Sequence, residues 1–246
     1  MGEEGLSNSQ KFLAIYNELD DFMRQDLNEE HYVSHSDMLY KIIKKGNSVF
    51  DYYYQDLKSF SRLRNAIVHN PDKRTADPIA EPHDDIVKQY QELLDKVVSP
   101  ELALDRLAIP VEKLYTVTPN TNVLKAMKIM NKNIFTYVPV LEKRKFIGVF
   151  SDSTLFDYII KCEGAIIDEK LAIRDLGEVI HIHNHATEAF VFVNKETTVI
   201  GIEEIFRKGF KHNKRIAVVL ITADGTQTGE LLGLVSAWEV AGYNIT

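Results

Sequence analysis

The segment VTPNTNVLKAMKIM at residues 117–130 aligns without a gap on VNKETTVIGIEEIF at residues 193–206. Val117 faces Val193, Thr121 faces Thr197, Val123 faces Val199 and Leu124 faces Ile200. Each copy reads as the end of a strand, a polar turn and an amphipathic helix. The correspondence continues downstream, where YVPVLEKRKFIGVFSDSTLFDYI parallels RIAVVLITADGTQTGELLGLVSAWEV. Both spell a strand, a hairpin, a second strand ending in Gly-apolar-apolar-Ser, and a helix start. The copies begin about 76 residues apart. One supersecondary unit built twice constrains architecture more than composition can. Residues 222–230, TADGTQTGE, lengthen the second hairpin and carry an Asp-Gly turn signal.

Around the repeat, the short runs KLYTV, TYVPVL, FIGVF, AFVFV, RIAVVLIT and LLGLV alternate with amphipathic helices, the grammar of an α/β or α+β domain. The chain before about residue 100 is different. Phe12, Ile15, Tyr16, Leu19, Phe22 and Met23 recur at helical spacing, as do Leu39, Ile42 and Ile43. Ser34 or Ser36 caps a second helix that Gly46 and Asn47 break, and a long helical segment follows over about 48–69. Asn70 and Pro71 stop it, and the polar loop PDKRTADPIAEPHDD leads to a last helix at about 83–98. The fold class expected is a multidomain α+β protein. An all-α helical bundle over 1–100 precedes a tandem pair of βαββα repeats over 101–246, the first at about 101–162 and the second at about 171–242.

Charge separates the same two parts. Residues 1–100 hold 12 basic and 18 acidic side chains, whereas 101–246 hold 17 and 18. The formal net charge of −7 argues against a protein that coats nucleic acid by general attraction, so any RNA contact must be local. A hydrophobic content of 45% is enough for packed cores. The single cysteine, Cys162, cannot form an internal disulfide and is expected as a small core residue in a reducing compartment. The start, MGEEGLSNSQ, lacks a signal-peptide pattern, Leu6 stands where a myristoylation motif wants Ser or Thr, and no stretch approaches a bilayer span. A cytoplasmic protein without a membrane partner is expected.

The repeat resembles a tandem pair of CBS domains, the module named after cystathionine beta-synthase, over about residues 101–242. The strand-turn-helix openings, the Tyr137-Val138-Pro139-Val140 strand and the two Gly-x-x-Ser helix starts carry the resemblance. It implies two copies packed through their sheets into a flat pseudo-twofold unit with two clefts that commonly hold adenine nucleotides. The implied contacts are Thr118, Tyr137, Pro139, Ser151 and Thr154 in the first copy, and Asn194, Arg215, Ala217, Ser236 and Glu239 in the second. The ligand would be AMP, ADP or ATP acting as a regulator, with no cofactor or metal required. The physics is readable: a strand ending in Gly and small polar residues admits a ligand to the backbone, and Ser151 or Ser236 can bond phosphate or ribose. The following helix N-terminus favours an anion. The family usually carries an acid three residues after that Ser or Thr, which accepts both ribose hydroxyls. Glu239 occupies this place in the second copy and Thr154 in the first, so ribose binding fits the second cleft better. Glu239 could equally be a first-turn carboxylate that stabilises its own helix. Trp238 suits an interface or partial core better than a base stack, and Tyr137 is expected to face the core.

The helical part contains SRLRNAIVHNP at residues 61–71, within a stretch, 58–74, holding five basic residues and one acidic one. This motif resembles the Arg-Asn-x-x-x-His signature of the HEPN superfamily, small all-α domains of which many are metal-independent ribonucleases that work as dimers. The resemblance assigns roles to Arg64, Asn65 and His69. On a regular helix Arg64 and His69 point about 140° apart, while Asn65 and Arg62 share a face with His69. Arg64 therefore needs a distorted helix end or a dimer mate. Three readings stay open: RNA cleavage through its own 2′-hydroxyl with His69 as general base or acid, an inactive dimerisation helix in a homodimer, and cations favoured at a helix C-terminus. Elsewhere, HIHNH at 181–185 reads as a solvated connector, KHNKR at 211–215 as a solvated turn, and the Tyr52-Tyr53-Tyr54 run as wrapping a helix with at least one ring buried.

Overall fold

The computed structural model describes residues 5–68, 78–162 and 164–243. The chain divides into two compact units, Met1–Glu101 and Leu102–Thr246. Among the described residues, no helix is long and apolar enough to cross a membrane.

The first unit is helical: α1 Asn8–Leu27, α2 His35–Lys44, α3 Ser48–Tyr52, α4 Tyr54–Val68 and α5 Asp84–Val98. Its boundaries follow local chemistry. Ser7 and Gln10 form a reciprocal capping box at α1, and Asn28 closes that helix in the left-handed conformation. Ser34 caps α2 and Asn47 caps α3. Phe12, Leu19, Met23, Met38, Ile42, Phe50, Leu57, Ile67, Tyr90 and Leu94 are buried between the helices, with Phe60 stacked on Tyr90 at 4.3 Å. The segment expected as one helix over 48–69 is two, because the backbone leaves helical geometry at Tyr53 (φ −91°, ψ 10°). The break brings the tyrosine run to the surface: Tyr52 is exposed and meets Tyr53 edge to face at 4.8 Å, and none of the three rings is fully buried.

The second unit contains α6 Ala103–Arg106, β1 Ile109–Pro110, α7 Val123–Asn133, β2 Tyr137–Glu142, β3 Lys145–Ser151, α8 Asp152–Lys161, β4 Glu188–Asn194, α9 Val199–Lys208, β5 Phe210–Lys211, β6 Lys214–Thr222, β7 Leu231–Ser236 and α10 Ala237–Gly242. In the first copy β2 and β3 form an antiparallel hairpin. In the second, β4 lies parallel to β6, and β6 is antiparallel to β7. The strand expected at KLYTV reduces to a single bridge from Val117 to Val140, its first residue, Lys113, ending a 3-10 turn that starts at Val111. Phe146 and Val149 of the first sheet share one buried cluster with Phe190, Ala217, Val218, Leu220, Leu231 and Leu234 of the second, so the copies pack sheet against sheet. The unit is α/β, and the chain as a whole is mixed α+β.

The segment that leads into each copy packs on the other copy. The Ala103 N–H donates to the Thr197 carbonyl at 2.9 Å, β1 pairs with β7, and Ala103 and Leu107 are buried with Val199, Ile202, Val219 and Val235. In return, the Ile173 N–H donates to the Thr121 carbonyl at 2.9 Å, and Leu171, Ile173, Leu176, Val179 and Ile180 fill the core made by Val123, Ala126, Val138 and Phe150. A glycine in each copy makes room. A Cβ on Gly148 would overlap the Ile180 carbonyl oxygen, and one on Gly233 would meet the Ile109 carbonyl at 3.1 Å.

Candidate functional site

The two Gly-x-x-Ser strands end alike. Ser151 Oγ accepts the Thr154 N–H at 3.3 Å, and Thr154 Oγ1 accepts the Ser151 N–H at 3.1 Å, a capping box at the start of α8. Both residues are buried. In the second copy Glu239 Oε2 accepts the Ser236 N–H at 2.7 Å and also the Ser236 hydroxyl, so this carboxylate caps its own helix, and a ribose would compete for it. Strand register places a partner across from each serine: Tyr137 opposite Ser151, and Val218, next to Ala217, opposite Ser236.

The other candidate contacts fall into two groups. Thr118 and Asn194 sit in the polar turns that open α7 and α9. The Thr118 N–H donates to Thr121 Oγ1 at 2.9 Å, and Asn194 Oδ1 accepts the Glu196 N–H at 3.1 Å and the Thr197 hydroxyl at 3.2 Å. Pro139 is buried, its carbonyl accepting the Val117 N–H at 3.0 Å, and Ala217 lies in the shared core. Arg215 is exposed and pairs in register with Glu188. KHNKR is a hairpin between β5 and β6, turning on His212 and Asn213 with φ of 52° and 62°. Trp238 is 79% exposed on α10.

Sequence reasoning passed over a buried carboxylate, Glu188. It is 3% exposed at the start of β4. Its carboxylate accepts the Tyr137 hydroxyl at 3.1 Å and the Ser151 hydroxyl at 3.3 Å, and lies 3.2 Å from His185 Nδ1. His185 is fully buried, edge-on to Phe190. Burial pushes the Glu188 carboxyl up, but hydrogen bonds from His185, Tyr137 and Ser153 and the nearby imidazole outweigh it and hold the group below its ordinary value. The Tyr137 hydroxyl is pushed up to about 12, first by burial and then by the Glu188 charge. HIHNH is therefore not a wholly solvated connector. It folds into a 3-10 turn over Ile182–Asn184 that buries Ile182 and His185 and leaves His183 exposed. Among the described residues no three His, Cys, Asp or Glu side chains converge as a metal site. Cys162, expected in a core, is exposed where α8 ends. The readable signal for Glu188 was an acid opening the apolar run AFVFV directly after a histidine cluster.

In the helical unit α4 remains regular through Val68, with Arg62 and Asn65 exposed on it. Arg64 turns inward: its guanidinium lies 4.9 Å from the Tyr16 ring centre, and its Nη1 donates to Asn65 Oδ1 at 3.2 Å. Tyr16 stacks on His35 at 4.3 Å, and His35 Nδ1 lies 3.0 Å from Asp20 Oδ1. Burial is the main cause holding the His35 imidazole below its ordinary value, with the Asp20 bond opposing it. His69, Asn70, Pro71, Lys73 and Arg74 lie outside the described residues.

No curated protein matches the chain significantly. Among solved structures, CBSX2 in complex with AMP is similar at 17% identity over 58% of this chain and 94% of its own, with a TM-score of 0.38. An uncharacterized conserved protein from Pyrococcus horikoshii is similar at 20% identity over 58% and 90%, with a TM-score of 0.40. CbpB in complex with c-di-AMP is similar at 18% identity over 56% and 81%, with a TM-score of 0.38. The family model for the CBS domain matches residues 106–161. That matched stretch contains the β2–β3 hairpin and α8.

Proposed function

We propose that the protein is an adenine-nucleotide sensor: its CBS-type unit binds AMP, ADP or ATP, and the bound state regulates the helical unit within a homodimer. The observation that carries this reading is the twofold repetition of one kind of site, a Gly-x-x-Ser strand whose serine caps the next helix. Ser151 does this before α8 and Ser236 before α10. The helix start favours a ligand's negative charge, while the glycine of each strand is covered by a lead-in and not open to a ligand. A second copy is supported by α8, which leaves Phe156, Ile159 and Ile160 exposed on one side, together with Trp238 on α10. Regulation follows only if nucleotide binds two arrangements of the protein with different affinity. The ribonuclease alternative rests on His69, which lies outside the described residues, with Arg62 and Asn65 on the outer side of α4 and Arg64 drawn onto Tyr16; the sensor reading rests on more of the chain.

Thermal unfolding with each nucleotide tests the reading. A nucleotide present at about 100 times its dissociation constant stabilises the folded state by about 2.7 kcal/mol, a readily measured upward shift. The shift should shrink in Glu239→Ala relative to that variant's own ligand-free baseline, which itself falls because a cap is lost. No shift with AMP, ADP or ATP at millimolar concentration rules the sensor out.

A further inference from the structure

The lead-in segments differ in length. Seven residues separate Ile109 from Val117, and twelve separate the equivalent Ile180 from Val193. The five extra residues lie between Ile180 and Glu188, in the stretch that holds the histidines. Counted back from the aligned valines, Glu188 corresponds to Glu112. Glu112 stands exposed in its 3-10 turn, but the insertion carries Glu188 inside, to the hydroxyl of the serine that caps α8. There the carboxylate meets Tyr137, Ser151 and His185, all within 3.3 Å. The position next to a helix N-terminus and its capping serine is where an anion is most favoured, and a buried carboxylate already fills it. His185 is buried with it, and its second ring nitrogen, Nε2, finds no hydrogen-bond partner among the described residues.

We propose that Glu188 is an internal plug: its carboxylate takes the place that a nucleotide's anionic or ribose groups would take in the first cleft, so that only the second cleft binds ligand. This rests on the sensor reading and specifies which cleft serves it. The two copies then have divided roles, the first closed and structural, the second open.

Calorimetric titration of the full chain with AMP, ADP and ATP separately, in the wild type and in Glu188→Ala, tests the plug. The wild type should bind one nucleotide per chain and the variant two. Two per chain in the wild type, or one in a folded Glu188→Ala protein, overturns the plug while leaving the sensor reading standing. The wild-type stoichiometry decides even if the variant fails to fold. If the wild type binds none, the sensor reading fails, and a site gained in Glu188→Ala still supports the plug; no binding by either protein overturns both.

Discussion

Glu188 shows how one buried carboxylate can make stability depend on pH. Its pKa in the folded protein is lowered, so its stabilising contribution is fully present above the unfolded value, near 4.5, and is lost as pH falls through the folded value. The stability difference between wild type and Glu188→Gln should therefore be largest near neutrality and shrink below about pH 4.5. Denaturant midpoints of both proteins at pH 7 and pH 3.5 check this; a constant difference refutes it. Little of this was legible in the sequence. A glutamate opening an apolar strand looks like an exposed strand-start residue, and only the folded lead-in decides whether it points outward, as Glu112 does, or inward. Glu239 was more readable: Ser followed three residues later by Glu is a capping-box pattern, and the structure uses it so.

At the level of elements, the strands of the second unit are legible as continuous apolar runs, because β3 and β6 are buried on both faces. The exceptions are the linking pieces. KLYTV failed as a strand because β-propensity cannot tell a full strand from one bridged residue. The lead-ins, with no strong period of their own, gave no hint that they dock on the opposite copy. Their docking depends on two glycines that differ in clearance. Gly148→Ala forces a methyl into the Ile180 carbonyl and should destabilise by about 1–3 kcal/mol or more, the range for overpacking. Gly233→Ala, with its nearest neighbour at 3.1 Å, should cost clearly less. Urea midpoints of the two variants measured side by side give the order, and equal losses would contradict the asymmetry.

For the whole molecule, the proposed homodimer places its test on α8. Phe156→Asp with Ile160→Asp changes exposed side chains, which typically alter stability by no more than about 0.5 kcal/mol. Light scattering after size-exclusion chromatography should show the mass halved with the circular dichroism unchanged; an unaltered mass excludes this face as the interface. The change from an all-helical to an α/β pattern was visible in the sequence as a change of periodicity near residue 100. The exchanged lead-ins have a further consequence, for synthesis. The first copy cannot close its core until residues 171–180 have been made, and the second needs residues 102–110, translated long before it. The first repeat therefore cannot finish folding as it leaves the ribosome but must wait for the chain that follows it, whereas the second finds its missing piece already made; closing both through contacts far apart in the chain slows folding.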